Sequence, residues 1–505
     1  MLAGVSVNRK LAAAAPDTVD LLVVGGGING VAIARDAAGR GLSVLLVEQD
    51  DLASHTSSAS TKLIHGGLRY LEYGEIRLVR EALIERETLW GMAPHIIWPL
   101  RFVLPQIHSP RPAWMVRAGL FLYDHLGGRR RLPATETIRL DRDPRGAGLK
   151  DGGRAFVYSD CWVEDSRLVV LTARDAADRG ATVLTRTRFE GASRDGDGWQ
   201  ARIAGRAAPV RARALVNAAG PWVAEVLGRL PHGPSDRGVR LIKGSHIVVP
   251  RLYEGEHAFL LQNPDGRVVF AIPYEGRFTL VGTTDVAWSG APGPAAIDAD
   301  ETAYLLATIA RYFTGATPAV VWSYAGIRPL YDDHAANASA VTRDYVLDLD
   351  GDATSPPLLS VFGGKITTHR RLAEQAMDRL AGWFPNAGPA WTRGAVLPGG
   401  DFAAFYPLVA ALAARYPRFE AGFLRRLARA YGTGAEAILD GAEMPADLGE
   451  DLGGGLWTRE VDYLVVHEWA RTAEDVLFRR SKLGLHVPEG TADRLSAYLA
   501  AVIRS

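Results

Sequence analysis

An α/β fold, opened by a Rossmann-like dinucleotide unit and closed by a helical region, is predicted by three observations. The strand-like run Leu21-Leu22-Val23-Val24 leads into the glycine turn Gly25-Gly26-Gly27-Ile28-Asn29-Gly30 and then into a small-residue helix. A β-rich stretch with Gly, Pro and Asp turns occupies roughly residues 240–330. After about residue 388, apolar and charged residues spread at helical spacing, as in DYLVVHEWARTAEDVLFRRSKLG.

Taken in order, MLAGVSVNRKLAAAAPDTVD has Arg9-Lys10 but only a five-residue apolar run after it, too short for a signal-peptide core, and reads as a frayed extension. Leu21 to Val24 is continuously apolar, as a strand buried on both faces requires. Ala32, Ile33, Ala37 and Ala38 mark the helix, and Leu42 to Val47 is a second buried strand, so the unit is βαβ with a parallel pair. From Gly67 a helix is expected, with Leu68, Leu71, Val79, Ala82, Leu83 and Leu89 on one face and Glu72, Glu75, Arg80, Glu81 and Glu87 off it. Pro94, Pro99, Pro105, Pro110 and Pro112 then interrupt. ATVLTRTRFEGASRDGDGWQARIAG alternates like strands around a hairpin signal at Asp195-Gly196-Asp197-Gly198. ARALVNAAGPW reads as a strand entering a glycine turn, and SVFGGKITTHRRLAEQAMDRL as a glycine turn entering a helix.

The chain's 505 residues imply more than one domain. Lys+Arg and Asp+Glu are both 57, which argues against a dedicated nucleic-acid binder. The single cysteine, Cys161, excludes an intrachain disulfide and a cysteine-based metal cluster; it reads as a small apolar filler in a reducing compartment. No uncharged apolar run reaches about 18 residues, so no transmembrane helix is expected. PAWMVRAGLFLYDHLGGRRRL, with Trp114, Phe121, Arg117 and Arg129-Arg130-Arg131, has the composition of an interfacial helix that meets anionic lipid.

The glycine turn has a specific physics. Gly25 permits the tight bend, Gly27 admits a pyrophosphate to the backbone, and Gly30 lets helix and strand pack closely. Ile28 and Asn29 open the helix, whose N–H groups and dipole favour phosphate. Glu48 ends the next strand 18 residues after Gly30, where it can accept hydrogen bonds from a ribose diol. NAD and FAD both satisfy this pattern.

The chain resembles the FAD-dependent glycerol-3-phosphate dehydrogenases, particularly the bacterial aerobic ones. The matching segments are DLLVVGGGINGVAIARDAAGRGLSVLLVE, STKLIHGGLRYLE, YSDCWVEDSRL, LVNAAGPWV, RLIKGSHIVVP, GTTD, GIRPL, TRDY and SVFGGKITTHRRLAE, in that order. The resemblance implies a discontinuous FAD-binding domain, a β-rich substrate domain and a C-terminal helical domain. The expected bounds are 18–90, 151–235 and 331–387 for the first, 91–150 and 236–330 for the second, and 388–505 for the third. It also implies oxidation of sn-glycerol 3-phosphate to dihydroxyacetone phosphate, FAD as hydride acceptor, a membrane quinone as electron acceptor, a homodimer, and peripheral attachment to the cytoplasmic face of the cell membrane. An oxidase that returns electrons to oxygen and a non-catalytic dinucleotide-binding regulator stay open as alternatives.

Site residues follow from chemistry beside the resemblance. Arginine grips phosphate with a planar fork, so Arg328 and Arg343 are the expected phosphate ligands, with Arg69 and Tyr70 reaching substrate from the turn after Gly66-Gly67. Lys365 follows Gly364 in a turn that is no P-loop, since Leu359 and Ile366 break that pattern; it is expected at the flavin or the substrate. His246 and His65 are candidate bases, His246 being placed with Arg328 and Lys365 in the catalytic set. Expected along FAD, besides the fingerprint and Glu48, are Gln49, Ser58, Ser60, Lys62, Leu63, His65, Gly66, Gly67 and Leu68. Ala219, Gly220, Asp285, Gly326, Gly364, Lys365, Ile366 and Thr367 complete that set.

Overall fold

The computed structural model describes residues 15–128, 131–231, 238–331, 344–352 and 355–504. The N-terminal extension before Ala15 therefore lies outside the described residues. Two sheets and a helical unit make up the rest.

The first sheet has strand order Val346–Asp350, Leu358–Phe362, Val210–Asn217, Thr18–Val24, Val44–Val47, Thr182–Leu184. All neighbours are parallel except the Val346–Asp350 edge. The hairpin Phe189–Asp195/Gly198–Ile203 joins the early part of Val210–Asn217. Successive side chains of the first strand enter opposite cores, which explains its unbroken apolar run. Leu21 and Val23 pack with the helices Ile28–Gly39, Asp165–Asp178 and His369–Leu380, while Leu22 and Val24 pack with Trp199, Val223 and Val226.

The second sheet is antiparallel through residues 239–331, as expected. Val239–Pro250 pairs with Trp322–Tyr331 along its whole length and with Phe278–Gly282 on its other side. Arg154–Val163, expected in the nucleotide-binding part, is instead a central strand here, zipped to Ile97–Pro105 with Leu63–Ile64 on its far edge. The reason is its inward set, Phe156, Tyr158 and Trp162, which completes the aromatic core of this sheet around Phe102 and Tyr274. Cys161 is fully buried in the adjoining core.

The helix expected from Gly67 is split. Leu68–Tyr73 is a 3-10 turn, Gly74 takes a left-handed φ of +73°, and the α-helix runs over Ile76–Met92. The C-terminal helices, from Phe405–Arg415 to Thr491–Arg504, enclose their own core of Leu424, Leu427, Ile438, Leu464 and Leu495. Residues 391–397 precede that core: Leu397 packs with the nucleotide-binding helices, and Trp391 donates to the Asp36 carbonyl at 3.1 Å.

Among the described residues four histidines are buried, and burial favours the neutral imidazole in each. Burial pushes His95 down to about 3 and His257 and His369 to about 4, and takes His246 well below its ordinary value. The unfolded chain protonates each near pH 6.5, so it takes up protons that the fold refuses. Their contribution is intact above that pH and is lost as pH falls toward about 4, at roughly 1.4 kcal/mol per pH unit for each group. Denaturation midpoints measured from about pH 7 to pH 5 should therefore fall progressively; a flat profile contradicts this account.

Candidate active site

A cleft of about 950 Å³ opens at the carboxyl ends of Thr18–Val24 and Val44–Val47. Gly25, Gly27, Ile28, Asn29, Glu48 and Gln49 line one side, and Ala219, Gly220, Gly363 and Gly364 another, as most of the fingerprint reading requires. Gly25 holds φ +115°, and a Cβ there would stand 2.5 Å from the Ala218 carbonyl oxygen. A Cβ on Gly30 would collide with the Gly25 carbonyl oxygen, so glycine is needed to close helix on turn. The helix beginning at Ile28 has no acid in its first turn; its Ile28 N–H donates to Ser57 Oγ at 3.0 Å, and its positive end still favours an anion at the cleft. Glu48 accepts from the Gly26 N–H at 2.6 Å and the Asp50 N–H at 2.9 Å, so it braces the turn as well as lining the cleft. Burial raises its pKa, and the two backbone N–H groups oppose that rise.

A second cleft of about 1530 Å³ lies beside the Ser60–Tyr73 segment. Arg69, Tyr70, His65, Thr61, Asp285 and Arg328 face it, with Leu260, Val268 and Phe270 as an apolar wall. Arg328 donates to the Asp285 carboxylate and, at 2.9 Å, to the Thr284 carbonyl. A Cβ on Gly244 would come within 2.6 Å of its Nη2, so that glycine makes room for the guanidinium. Arg69 Nε is buried with no hydrogen-bond partner. Gly67, at φ +75°, must be glycine because a Cβ would strike the Tyr70 ring. The turn Gly363-Gly364 lines the first cleft, and Lys365 after it touches Tyr70 of the second. Gly363 accepts from Asn29 Nδ2 at 3.1 Å, while Lys365 Nζ sits 3.8 Å over the Tyr70 ring.

Several expected cofactor contacts stand elsewhere. The Lys62 side chain is fully buried and faces neither cleft, because Asp165 holds its Nζ at 2.7 Å. Ser60 Oγ donates to the same carboxylate at 2.8 Å. Asp285 is drawn into the second cleft by Arg328. Ser58 and Gly326 face a third opening, and a Cβ on Gly326 would crowd Ala59 at 2.6 Å. Leu63 and Leu68 line the second cleft. Ile366 packs on the nucleotide-side core, and buried Thr367 accepts from the His65 N–H at 3.3 Å. The Gly66 N–H is taken by Tyr123. Arg343 lies outside the described residues.

His246 does not reach the cleft wall. Its Nε2 meets Thr61 Oγ1 at 3.0 Å and its ring stacks on Tyr324 at 4.8 Å. Burial, with Lys62 and Arg328 nearby, takes its pKa well below the ordinary value, and its place behind Thr61 sets it back from the cleft lining. Sequence reasoning missed Asp160, which lines the second cleft, and Arg188, Trp222 and Arg229 along the first. Trp222 follows the NAAG turn directly and could have been found there; the others carry no local signal.

FAD fits these residues. The cradle of glycines, the acid-free start of the helix and Asn29, whose buried Oδ1 has no hydrogen-bond partner among the described residues, line the first cleft, which extends to the Gly363-Gly364 turn. Gly30→Ala should therefore yield protein retaining less than about a tenth of the wild-type flavin, read from the absorbance ratio after purification; full retention refutes the close-packing account.

Comparison with known proteins agrees. The family described as FAD dependent oxidoreductase matches residues 20–370, and the C-terminal domain of alpha-glycerophosphate oxidase matches 390–503. Glycerol-3-phosphate dehydrogenase of Pseudomonas aeruginosa is 56% identical, across 96% of this chain and 95% of its own length. D-erythritol 1-phosphate dehydrogenase of Brucella abortus is 53% identical, across 94% and 96%. The aerobic glycerol-3-phosphate dehydrogenase of Escherichia coli is 48% identical, across 96% and 97%. The X-ray structure of glycerol-3-phosphate dehydrogenase from Bacillus halodurans complexed with FAD is similar at TM-score 0.72 and 25% identity, covering 98% of this chain and 97% of that one. The chain belongs to the FAD-dependent oxidoreductases, in the family that includes the glycerol-3-phosphate dehydrogenases.

Proposed function

We propose that the chain oxidises sn-glycerol 3-phosphate to dihydroxyacetone phosphate and passes the electrons to a membrane quinone. The observation that carries this reading is the convergence of Arg69 and Arg328 on a cleft whose wall residue Tyr70 packs under Lys365, the residue that follows the Gly363-Gly364 turn of the nucleotide cleft. Arg69 has an unused buried Nε, and Arg328 can turn its fork from Asp285 to a phosphate. FAD, when bound, supplies the hydride acceptor. The substrate's C2–H bond breaks with both electrons while the C2 hydroxyl gives up its proton. His65 stands in the cleft wall as the proton acceptor, and the Thr61 hydroxyl orients beside it, backed by His246. The relatives' names support a polyol phosphate substrate, and the Brucella relative makes D-erythritol 1-phosphate the comparator.

Anaerobic titration with glycerol 3-phosphate should bleach the flavin band of the holoenzyme; no bleaching overturns the reading. Stronger bleaching by D-erythritol 1-phosphate would reassign the substrate. Arg69→Ala should raise KM by about tenfold or more with FAD content unchanged. Peroxide formation in place of quinone-analogue reduction would point to an oxidase.

Membrane attachment rests on the helix Ala113–Leu126. Val116, Leu120 and Tyr123 face inward, while Trp114, Met115, Phe121 and Leu122 share the outward face, Trp114 at 72% exposure. Tyr73 and Ile76 add exposed apolar surface at the neighbouring turn. Among the described residues no helix is long and apolar enough to cross a membrane. Arg131 lies over the Trp90 ring at 3.6 Å, and Arg129 and Arg130 fall outside the described residues. Each exposed aromatic or aliphatic chain gains roughly 1.5–3 kcal/mol on full burial, so several together can hold the protein on a bilayer surface. Trp114→Ser with Phe121→Ser should abolish flotation with anionic vesicles while turnover with a soluble dye persists; undiminished flotation excludes this helix.

A further inference from the structure

The inward side of the same helix carries a polar chain that no part of the reaction above uses. Tyr123 is 3% exposed, and its hydroxyl touches both oxygens of Asp160, at 2.8 and 2.9 Å. Asp160 is 2% exposed and is paired with buried Arg86 at 2.7 Å. The Gly66 N–H meets the same Tyr123 oxygen at 2.7 Å. Proton counting fixes the polarity of this chain. The Gly66 amide can only donate, so the Tyr123 oxygen must accept from it. The one Tyr123 proton is then committed to Asp160. Burial and the Asp160 carboxylate push the phenol far above its ordinary range, so that proton stays in place. Arg86 donates to Asp160 from the other side.

The chain ends on the turn that sets the substrate cleft. A Cβ on Gly66 would stand 2.5 Å from Leu83 and 2.8 Å from the Tyr123 ring, so the turn is pressed against both. Gly67, Arg69 and Tyr70 follow at once, and Tyr70 carries Lys365 on its ring. Building on the glycerol-3-phosphate reading, we propose that Tyr123 is a positioning residue: its hydroxyl, oriented by Asp160 and Arg86, fixes the Gly66-Gly67 turn and thereby aims Arg69 and Tyr70 at the substrate.

Tyr123→Phe removes one hydroxyl and leaves the Gly66 N–H without its acceptor. In the holoenzyme it should raise KM for glycerol 3-phosphate by about tenfold with FAD stoichiometry unchanged. Leu120→Ala, one turn away in the same buried face, opens a cavity without touching this chain and separates positioning from general helix packing. It should lower the thermal midpoint yet leave KM within about twofold. Equal KM effects in the two variants, or Tyr123→Phe constants within about twofold of wild type, overturn the proposal. Should Tyr123→Phe not accumulate as holoenzyme, Asp160→Asn tests it instead. Asp160 also lines the second cleft, where loss of its charge alone would favour an anionic substrate and lower KM. An amide oxygen accepts the Tyr123 proton more weakly than a carboxylate, so KM should instead rise by about threefold, and an unchanged or lowered KM is the refuting result. Failure of wild-type enzyme to bleach with glycerol 3-phosphate would sink the functional reading itself, whereas active wild type with unaffected variants sinks only the role of Tyr123.

Discussion

The two clefts are held in register by one buried ion pair. Lys62 has no exposed surface, and its ammonium is shared between Asp165, at 2.7 Å, and the Ser58 carbonyl, at 3.0 Å. Asp165 also accepts from Ser60 and from the Ser166 N–H, so every strong donor around it is satisfied. Asp165 starts a helix of the nucleotide-binding layer, whereas Lys62 abuts the edge strand of the second sheet. The pair therefore pins the strip that runs from the first cleft to the second. Such a pair has little net effect on stability, but loss of one partner strands the other charge at a cost of about 3–5 kcal/mol. It also acts at a distance, because its positive end helps keep His246 neutral behind Thr61.

The C-terminal unit is anchored by the same means. Asp51, three residues beyond Glu48, receives Arg479 at 2.7 Å and Arg480 at 2.5 and 2.8 Å. Arg480 is fully buried and also donates to the Glu468 carbonyl. On the next helix Arg167 pairs with Glu468 and donates to the Ala430 carbonyl. Apolar surfaces alone would allow the helical unit to slide. Forked guanidiniums on a buried carboxylate accept one register only, because any other leaves a charge unpaired in a poorly solvating interior. The loop that follows the nucleotide strand thus takes its shape from residues more than four hundred positions away.

That distance separates what was legible in the sequence from what was not. The Gly25–Gly30 turn, its flanking strands and the antiparallel stretch after residue 239 follow from local rules, since strand, turn and helix are neighbours in the chain. The expected site residues that line the two clefts, Glu48, Ala219, Gly220, Arg69, Tyr70 and Arg328, sit at strand ends or in glycine turns. Those that moved did so for partners far along the chain. Lys62 turned to Asp165, Asp285 to Arg328, and Arg154–Val163 to Ile97–Pro105. A cation beside a glycine turn looks the same in sequence whether it faces a ligand or a buried carboxylate. Only the register of the sheets decides.

Substrate choice within the family follows a related logic. Guanidinium and ammonium groups grip a phosphate strongly but see nothing of the carbon chain beyond it. Discrimination between polyol phosphates of different length must come from other walls of such a cleft; the apolar wall of the second cleft is Leu260, Val268 and Phe270. An apolar wall gains or loses only about 1–3 kcal/mol per methylene, and it rejects an added hydroxyl by only about a hundredfold. The phosphate-binding turn and the flavin-side residues can therefore stay fixed while a few wall residues shift the preferred chain length.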